Sequence, residues 1–551
     1  MRILIVGGVA GGASAAARAR RLSEEAEIVL FERGEHISFA NCGLPYHIGG
    51  VIAERQRLLV QTPQAMRARF RIDVRVGTEV LRIDTAGKFL MTKDLSTGLE
   101  KKEVYDALIL SPGAEPLRHP LPGIESKKIC TLRSLSDMDT IKAMVDRGQV
   151  KKAVVIGGGY IGLEMAEALR ERKVNVTLLE LKSQVMEPVD PEMAAVLHQE
   201  LIAQGVGLHL GAGVKSFTGE NGALRLELST GGSMTCDLAI LAIGVRPEAY
   251  LAKEAGLKIG ERGGIVVDAQ MRTSDPYIFA VGDAVEVSDF ITGVKTCIPL
   301  AGPANRQGRI AADNIFNKVS VYRNTQGTAI CKVFGLAVGM TGANEKQLKS
   351  KNIAHEKIYI HPADHATYYP GASSISMKLL FDPVNGKIFG AQAVGRQGVD
   401  KRIDVLAVAL RAGLTVQDLR DLELSYAPSY GSAKDPINYL GFVASNVMDG
   451  MCPVCHSEDV LNLRPDQAVL DVRDAGEVES GKIPGALHIP LNDLRQHMGE
   501  LSKDKELLVY CKVGLRGYLA CRILLQNGFK CRNLSGGYVT YEAKTGLPRK
   551  S

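Results

Sequence analysis

Two cysteines sit in settings that could make them reactive. Cys42 lies in S-F-A-N-C-G-L-P-Y-H and is the only cysteine in the first 129 residues, so no sequence neighbour can close a disulfide with it. A solitary redox thiol alternates between a thiolate and either a mixed disulfide with an external thiol or a sulfenic acid. Cys511 follows the apolar run L-L-V-Y and opens C-K-V-G-L-R-G, where a strand ends, a loop follows and a helix begins. Successive amides of such a loop can turn inward as an anion-binding nest, which lowers the thiol pKa and stabilises a cysteine persulfide. Arg516 closes that loop and is assigned with Cys511 to its chemistry. Four residues separate the two, one fewer than in phosphate-cradling loops, so sulfane sulfur fits better than phosphate. A third site, M-C-P-V-C-H from Met451 to His456, carries the C-x-x-C-H spacing of haem attachment. It has no second ligand cluster, and zinc would need two more ligands, so no metal is assigned. The plain reading is an exposed hinge with incidental thiols; the sharper one is a Cys452–Cys455 redox relay.

Thiols of this kind need an electron source, and two Gly-rich turns point to one. Residues 3–33 read as strand, turn, helix and strand, with Gly7, Gly8, Val9, Ala10 and Gly12 in the turn and Glu32 and Arg33 at the end of the second strand. This is the dinucleotide βαβ pattern: glycines allow the tight turn and close helix packing, and the pyrophosphate sits on the helix N-terminus. Val9 occupies the middle glycine position, which weakens the signal. A second copy begins 157 − 7 = 150 residues later, with Gly157, Gly159, Tyr160, Ile161 and Gly162 in the turn and Glu180 ending the strand. An acid at Glu180 suits a ribose 2′-hydroxyl and repels a 2′-phosphate, favouring NADH over NADPH, although neighbouring Lys182 leaves NADPH open.

At 551 residues the chain has room for three to four domains of roughly 150 residues each. Apolar residues make up 45% and charged residues 23%, which excludes a disordered or fibrous chain. Lys plus Arg exceeds Asp plus Glu by 67 − 61 = 6, too little to call for a nucleic-acid or anionic-membrane partner. No long, strongly apolar stretch suggests a membrane span, the N-terminus runs straight into the strand-like R-I-L-I-V-G-G, and the ten cysteines are scattered. The expectation is a cytoplasmic enzyme.

Further segments make the pattern specific: L-S-P-G-A-E at Leu110 to Glu115, A-I-G-V-R-P at Ala242 to Pro247, and V-G-D at Val281 to Asp283. Together with the two Gly turns, their order resembles the two-dinucleotide flavoprotein disulfide reductases. The resemblance implies FAD on the first unit, with Gly113, Gly282 and Asp283 against the flavin, and NAD(P)H on the second. S-F-x-N-C-G-L-P-Y is similar to the coenzyme A disulfide reductases over residues 1–445. That likeness implies coenzyme A binding by Ser14, Arg18, Arg21, Ser38 and Asn41, with Lys434 a further contact. It also implies a homodimer in which two tyrosines of the partner reach the redox cysteine, here assigned to Tyr368 and Tyr426, with Tyr369 open. Residues 456–551 resemble a rhodanese domain, which would place Cys521 and Cys531 as structural cysteines in the helix and strand after Cys511.

The expected fold is α/β: an FAD domain from 1–115 and 245–323, an NAD(P)H domain at 116–244, an α+β dimerisation domain at 324–447, a linker at 448–457 and a rhodanese domain at 458–551. The expected activity is NAD(P)H-dependent reduction of coenzyme A persulfide, polysulfide or coenzyme A disulfide through Cys42, joined to a sulfurtransferase site. The alternatives are NADH oxidase or peroxidase chemistry through a Cys42 sulfenic acid, and a sulfur carrier or redox sensor.

Overall fold

A computed structural model describes residues 1–220 and 222–546. Chain contacts gather these residues into two compact units, one of 1–183 and 205–325, the other of 184–204 and 326–551.

The first unit holds two parallel five-stranded sheets of matching design. In one, Arg2–Val6 lies between Glu27–Phe31 and Ala107–Leu110, with Asp73–Arg75 and Ile278–Ala280 at the edges. In the other, Lys152–Ile156 lies between Asn175–Glu180 and Leu238–Leu241, with Gly207–Leu210 and Ile129–Cys130 at the edges. Central strands of such sheets are covered on both faces, so they read as apolar runs rather than alternating ones. Ile3, Leu4 and Ile5 are accordingly all buried. Ile278–Ala280 joins the first sheet from beyond the second, so the first nucleotide fold is completed only after the second has been inserted. The helices Ala10–Leu22 and Tyr160–Glu171 start directly after the Gly turns.

The second unit contains an antiparallel sheet ordered Ala329–Val333, Leu336–Gly342, Ile388–Gly395, Ile375–Phe381, Glu356–Ile360. It also holds a parallel sheet ordered Val454–Cys455, Cys531–Leu534, Glu506–Tyr510, Gln467–Asp471, Leu487–His488. The helix Pro191–Ala203, which the sequence reading left inside the NAD(P)H stretch, groups with this unit. The reason is electrostatic: Asp190 and Glu192 at its start bind the fully buried Lys378 Nζ at 2.9 and 2.6 Å, and Glu345 binds it at 2.6 Å. These three carboxylates could hold a metal ion, but the lysine ammonium already fills their centre. The two sheets of the unit are joined through Tyr359, whose amide donates to Ser535 Oγ at 2.9 Å, and through His361 and Thr540, paired at 2.9 Å. Among the described residues no helix is long and apolar enough to cross a membrane.

Candidate active sites

Backbone geometry explains why both Gly turns need glycine. Gly7 has a φ of +94°, and a Cβ there would lie 2.0 Å from the Ser111 carbonyl oxygen; one on Gly12 would lie 1.9 Å from Gly7 O. The second turn repeats this, with Gly157 at +107° facing Ala242 O at 2.3 Å and Gly162 facing Gly157 O at 1.9 Å. Gly159 borders open space, and Tyr160 and Ile161 begin the helix beneath it. The strand-end acids match as well. Glu32 accepts hydrogen bonds from the Gly8 and Gly34 amides at 2.9 and 2.8 Å, and Glu180 from the Gly158 and Lys182 amides at 2.7 and 2.8 Å. Each carboxylate is thereby fixed beside its turn, where a ribose would lie.

A cavity of about 2210 Å³ runs along the first turn. Gly7, Gly8, Val9, Ala10, Glu32, Arg33, Gly113, Gly282 and Asp283 line it, as do Ser14, Arg18, Arg21, Ser38, Asn41 and Cys42. The size and the glycine cradle fit a dinucleotide cofactor such as FAD. Asp283 faces that space with its carboxyl raised to about 6 by burial, against the opposing pull of Arg133. A buried acid there suits a ligand that brings hydroxyl donors.

Cys42 stands on a single helical turn, Asn41–Gly43, and is exposed to the cavity. The surrounding protein raises its thiol pKa, and the Glu164 and Asp283 carboxylates raise it further. Glu164 is itself pushed up to about 7 by burial and by Glu167, with a hydrogen bond from Tyr46 opposing the rise. The sequence reading missed Glu164. Its signal was an acid on the apolar helix of the second Gly turn, G-G-G-Y-I-G-L-E.

The proposed coenzyme face is more committed than its sequence suggested. Arg18 forms an ion pair with Asp313 at 2.6 Å, Ser14 Oγ donates to Asn305 Oδ1 at 2.7 Å, and Arg21 lies over the Phe70 ring at 5.7 Å. Of the two guanidiniums expected to suit phosphate groups of the coenzyme, that of Arg18 is paired with Asp313. Arg33 likewise pairs with Glu248 at 3.1 Å. In the second unit, Tyr368 and Tyr426 come together across 58 residues, with their hydroxyls 2.8 Å apart and their side chains 75% and 49% exposed. Tyr369 instead sets its ring edge against His365, and Lys434 is exposed.

Cys511 is fully buried at the end of Glu506–Tyr510, just before the helix Leu515–Gln526. The Gly514 amide donates to its sulfur at 3.1 Å, and Gly514 has a φ of +105°, a turn that suits glycine. Gly537 packs so tightly that a Cβ would lie 2.4 Å from the Cys511 carbonyl oxygen. Arg516 pairs with Glu477 at 2.6 Å and Asp474 at 3.0 Å. A second network, unforeseen in the sequence, braces the loop from below. Buried Arg473 pairs with buried Asp471 at 2.7 Å, and the Tyr510 hydroxyl donates to the same carboxylate at 2.5 Å. Arg473 also lies over the Tyr510 and Tyr538 rings, at 5.3 and 4.4 Å.

The linker thiols depart from the hinge reading, since Cys452 and Cys455 are both buried, at 3% and 0% exposure. They lie in separate core clusters, Cys452 with Cys511, Cys521 and Cys531, and Cys455 with Tyr510 and Tyr538. Cys452 lies in the bend that precedes the strand Val454–Cys455, so the two sulfurs do not share a face.

Known proteins agree with this division. Residues 1–308 match the family described as pyridine nucleotide-disulphide oxidoreductase, 328–435 match that family's dimerisation domain, and 457–544 match the rhodanese-like domain. A coenzyme A disulfide reductase of Staphylococcus haemolyticus (strain JCSC1435) is 33% identical over 447 residues, covering 81% of this chain and all of that protein. The crystal structure of reduced Bacillus anthracis CoADR-RHD is 50% identical with a TM-score of 0.97, covering 98% of both chains. The structure of an NAD-dependent persulfide reductase from A. fulgidus is 36% identical with a TM-score of 0.92, covering 98% of this chain and all of that one. With its paired nucleotide folds, lone cavity thiol and C-terminal sulfur loop, the chain belongs to the FAD-dependent pyridine nucleotide-disulphide oxidoreductases and carries a rhodanese-like domain.

Proposed function

We propose that this enzyme uses NADH to reduce coenzyme A persulfide, polysulfide or coenzyme A disulfide at Cys42, and that Cys511 handles sulfane sulfur in the same chain. The observation that carries the reading is the lone Cys42 thiol on the cavity of the first nucleotide fold, with no second cysteine beside it, in a chain that also holds a complete Cys511 loop. The names of the two full-length structural relatives support it.

When bound, FAD would pass on from NADH the two electrons that the chemistry at Cys42 consumes. Glu32 and Asp283 would hold the FAD ribose and ribityl hydroxyls, and Glu180 the ribose of NADH. Cys42 thiolate attacks the outer sulfur of R–S–S–H or one sulfur of R–S–S–R, forming a bond to that sulfur and expelling R–S⁻. Two electrons and protons then cleave the new S–S bond, returning the Cys42 thiol and releasing hydrogen sulfide or a thiol. Arg21, Ser38 and Asn41 orient the coenzyme. In a homodimer, Tyr368 and Tyr426 of each subunit would serve the other's site, where a phenol can donate a proton to the departing thiolate.

The test is anaerobic NADH oxidation with each of the three substrates, using wild type, Cys42→Ser and Cys511→Ser. Turnover that Cys42→Ser abolishes, fastest with the persulfide, supports the reading. Rapid NADH consumption with oxygen and no sulfur substrate would instead make the chain an oxidase.

A further inference from the structure

The C-x-x-C motif of the linker is not a pair in the folded chain, yet one of its cysteines has a different partner. Cys452 enters the core layer formed by Val509, Leu524, Cys521 and Cys531, while Cys455 enters the opposite layer with Val460, Leu508 and Tyr541. The Cys452, Cys521 and Cys531 thiols lie in one buried cluster, where Cys452 and Cys521 shift each other's titration. Cys531 also donates to the Cys521 carbonyl at 3.6 Å. Arg522, next on the same helix, donates to the Met451 carbonyl at 2.5 Å, which draws the linker onto that helix.

We propose that Cys452 and Cys521 form a redox-responsive disulfide, made by an organic persulfide or polysulfide, that clamps the linker to the helix following the Cys511 loop. Of the four thiols in that cluster, Cys511 is held in its own loop by the Gly514 amide, and Cys452 and Cys521 are the two placed to close the bond. Cys531 is held within the strand Cys531–Leu534, whereas Cys452 lies in a bend before the strand Val454–Cys455 and can shift without breaking a sheet hydrogen bond. It is also one residue from Met451, which is 42% exposed, so a small sulfur species has a short way to travel.

Cys521 holds the Cys452 thiol below its ordinary range, against the opposing effect of burial and with help from Arg522, so Cys452 is the attacking group. Its thiolate attacks the outer sulfur of R–S–S–H, expels R–S⁻ and carries a persulfide. Cys521 then attacks the Cys452 sulfur, the terminal sulfur leaves as hydrosulfide, and the Cys521 proton goes to the leaving groups. The two thiols lose two electrons and two protons, and the sulfane sulfur takes up both electrons. The sum is two thiols plus R–S–S–H giving the disulfide, R–S–H and hydrogen sulfide.

The experiment treats the full-length holoenzyme anaerobically with polysulfide, blocks free thiols, and maps peptides by mass spectrometry without reduction. A Cys452–Cys521 crosslink, lighter by two hydrogens and lost on reduction, is expected in wild type and in Cys455→Ser and absent from Cys452→Ser. A Cys452–Cys455 crosslink would overturn the proposal. So would full alkylation of Cys452 and Cys521 in protein whose Cys42 or Cys511 has taken up sulfur. Because the decisive measurement is on wild type, a misfolded variant leaves the result intact.

Discussion

The two sulfur sites of this chain solve opposite problems. Cys42 is exposed to a large cavity on a single helical turn, and its thiol is raised by the surrounding protein and by two carboxylates. Cys511 is fully buried, held by a backbone amide and closed in by glycines. Under the proposed function the Cys42 thiol must meet both a cofactor and a bulky substrate, and the cavity gives it room. The proposed sulfur-holding thiol of Cys511 is enclosed, and the Gly514 amide donates to it. The difference is that the Cys42 thiol is set by side chains around an open cavity, whereas the Cys511 thiol is set by its own backbone.

The sharpest way to break the comparison is to remove each nucleophile in turn. Cys42→Ser should lower NADH-dependent turnover by about a thousandfold or more while leaving sulfurtransferase activity near wild type, and Cys511→Ser should do the reverse. Assaying both activities on both variants checks this; a loss of both activities in either variant would mean that the sites act as one.

The self-contained rhodanese-like site should fail when its brace is cut. Arg473→Ala leaves the Asp471 carboxylate buried beneath Tyr510 without its cation, a change that costs roughly 3–5 kcal/mol. Thermal unfolding should show a destabilised sulfurtransferase domain, with anaerobic disulfide reduction at Cys42 preserved below its melting temperature.

A smaller effect should appear at the second nucleotide turn. Glu180→Ala removes the acid placed for the ribose and should shrink the preference for NADH over NADPH by about tenfold, the worth of one charge-assisted hydrogen bond. Kinetics with both nucleotides would measure it.

The smallest concerns pH. Glu164 titrates near 7, so above that pH it adds a negative charge that disfavours the Cys42 thiolate. Glu164→Gln removes this charge, and the midpoint of Cys42 alkylation against pH should move to lower pH. An unmoved midpoint would mean that Glu164 does not influence the thiol.

Much of this was legible from local pattern. The Gly turns, the strand-ending acids and the C-K-V-G-L-R-G loop are contiguous stretches whose backbone geometry follows from residue type, and all sit where the sequence placed them. The linker misled because C-x-x-C looks like a pair only when its backbone winds as a helix. Here Cys452 lies in a bend and Cys455 in the short strand after it, and the two enter different core clusters. The ion pair of Arg18 was not legible for a different reason: Asp313 lies 295 residues away from Arg18 in sequence, and no local pattern reveals it.

What the amino-acid sequence determined by itself was local geometry carried by neighbours: two Gly turns with their strand-ending acids, one cysteine with no other near it in sequence and one glycine-bearing loop after Cys511. Only the tertiary structure decided which charges were already spent and which thiols could meet. Lys378 among Asp190, Glu192 and Glu345, Tyr368 on Tyr426, Arg473 beneath the Cys511 loop and Cys452 on Cys521 are each contacts between distant segments. Their partners are chosen by sheet order and core packing, which depend on the whole chain rather than on any window of it.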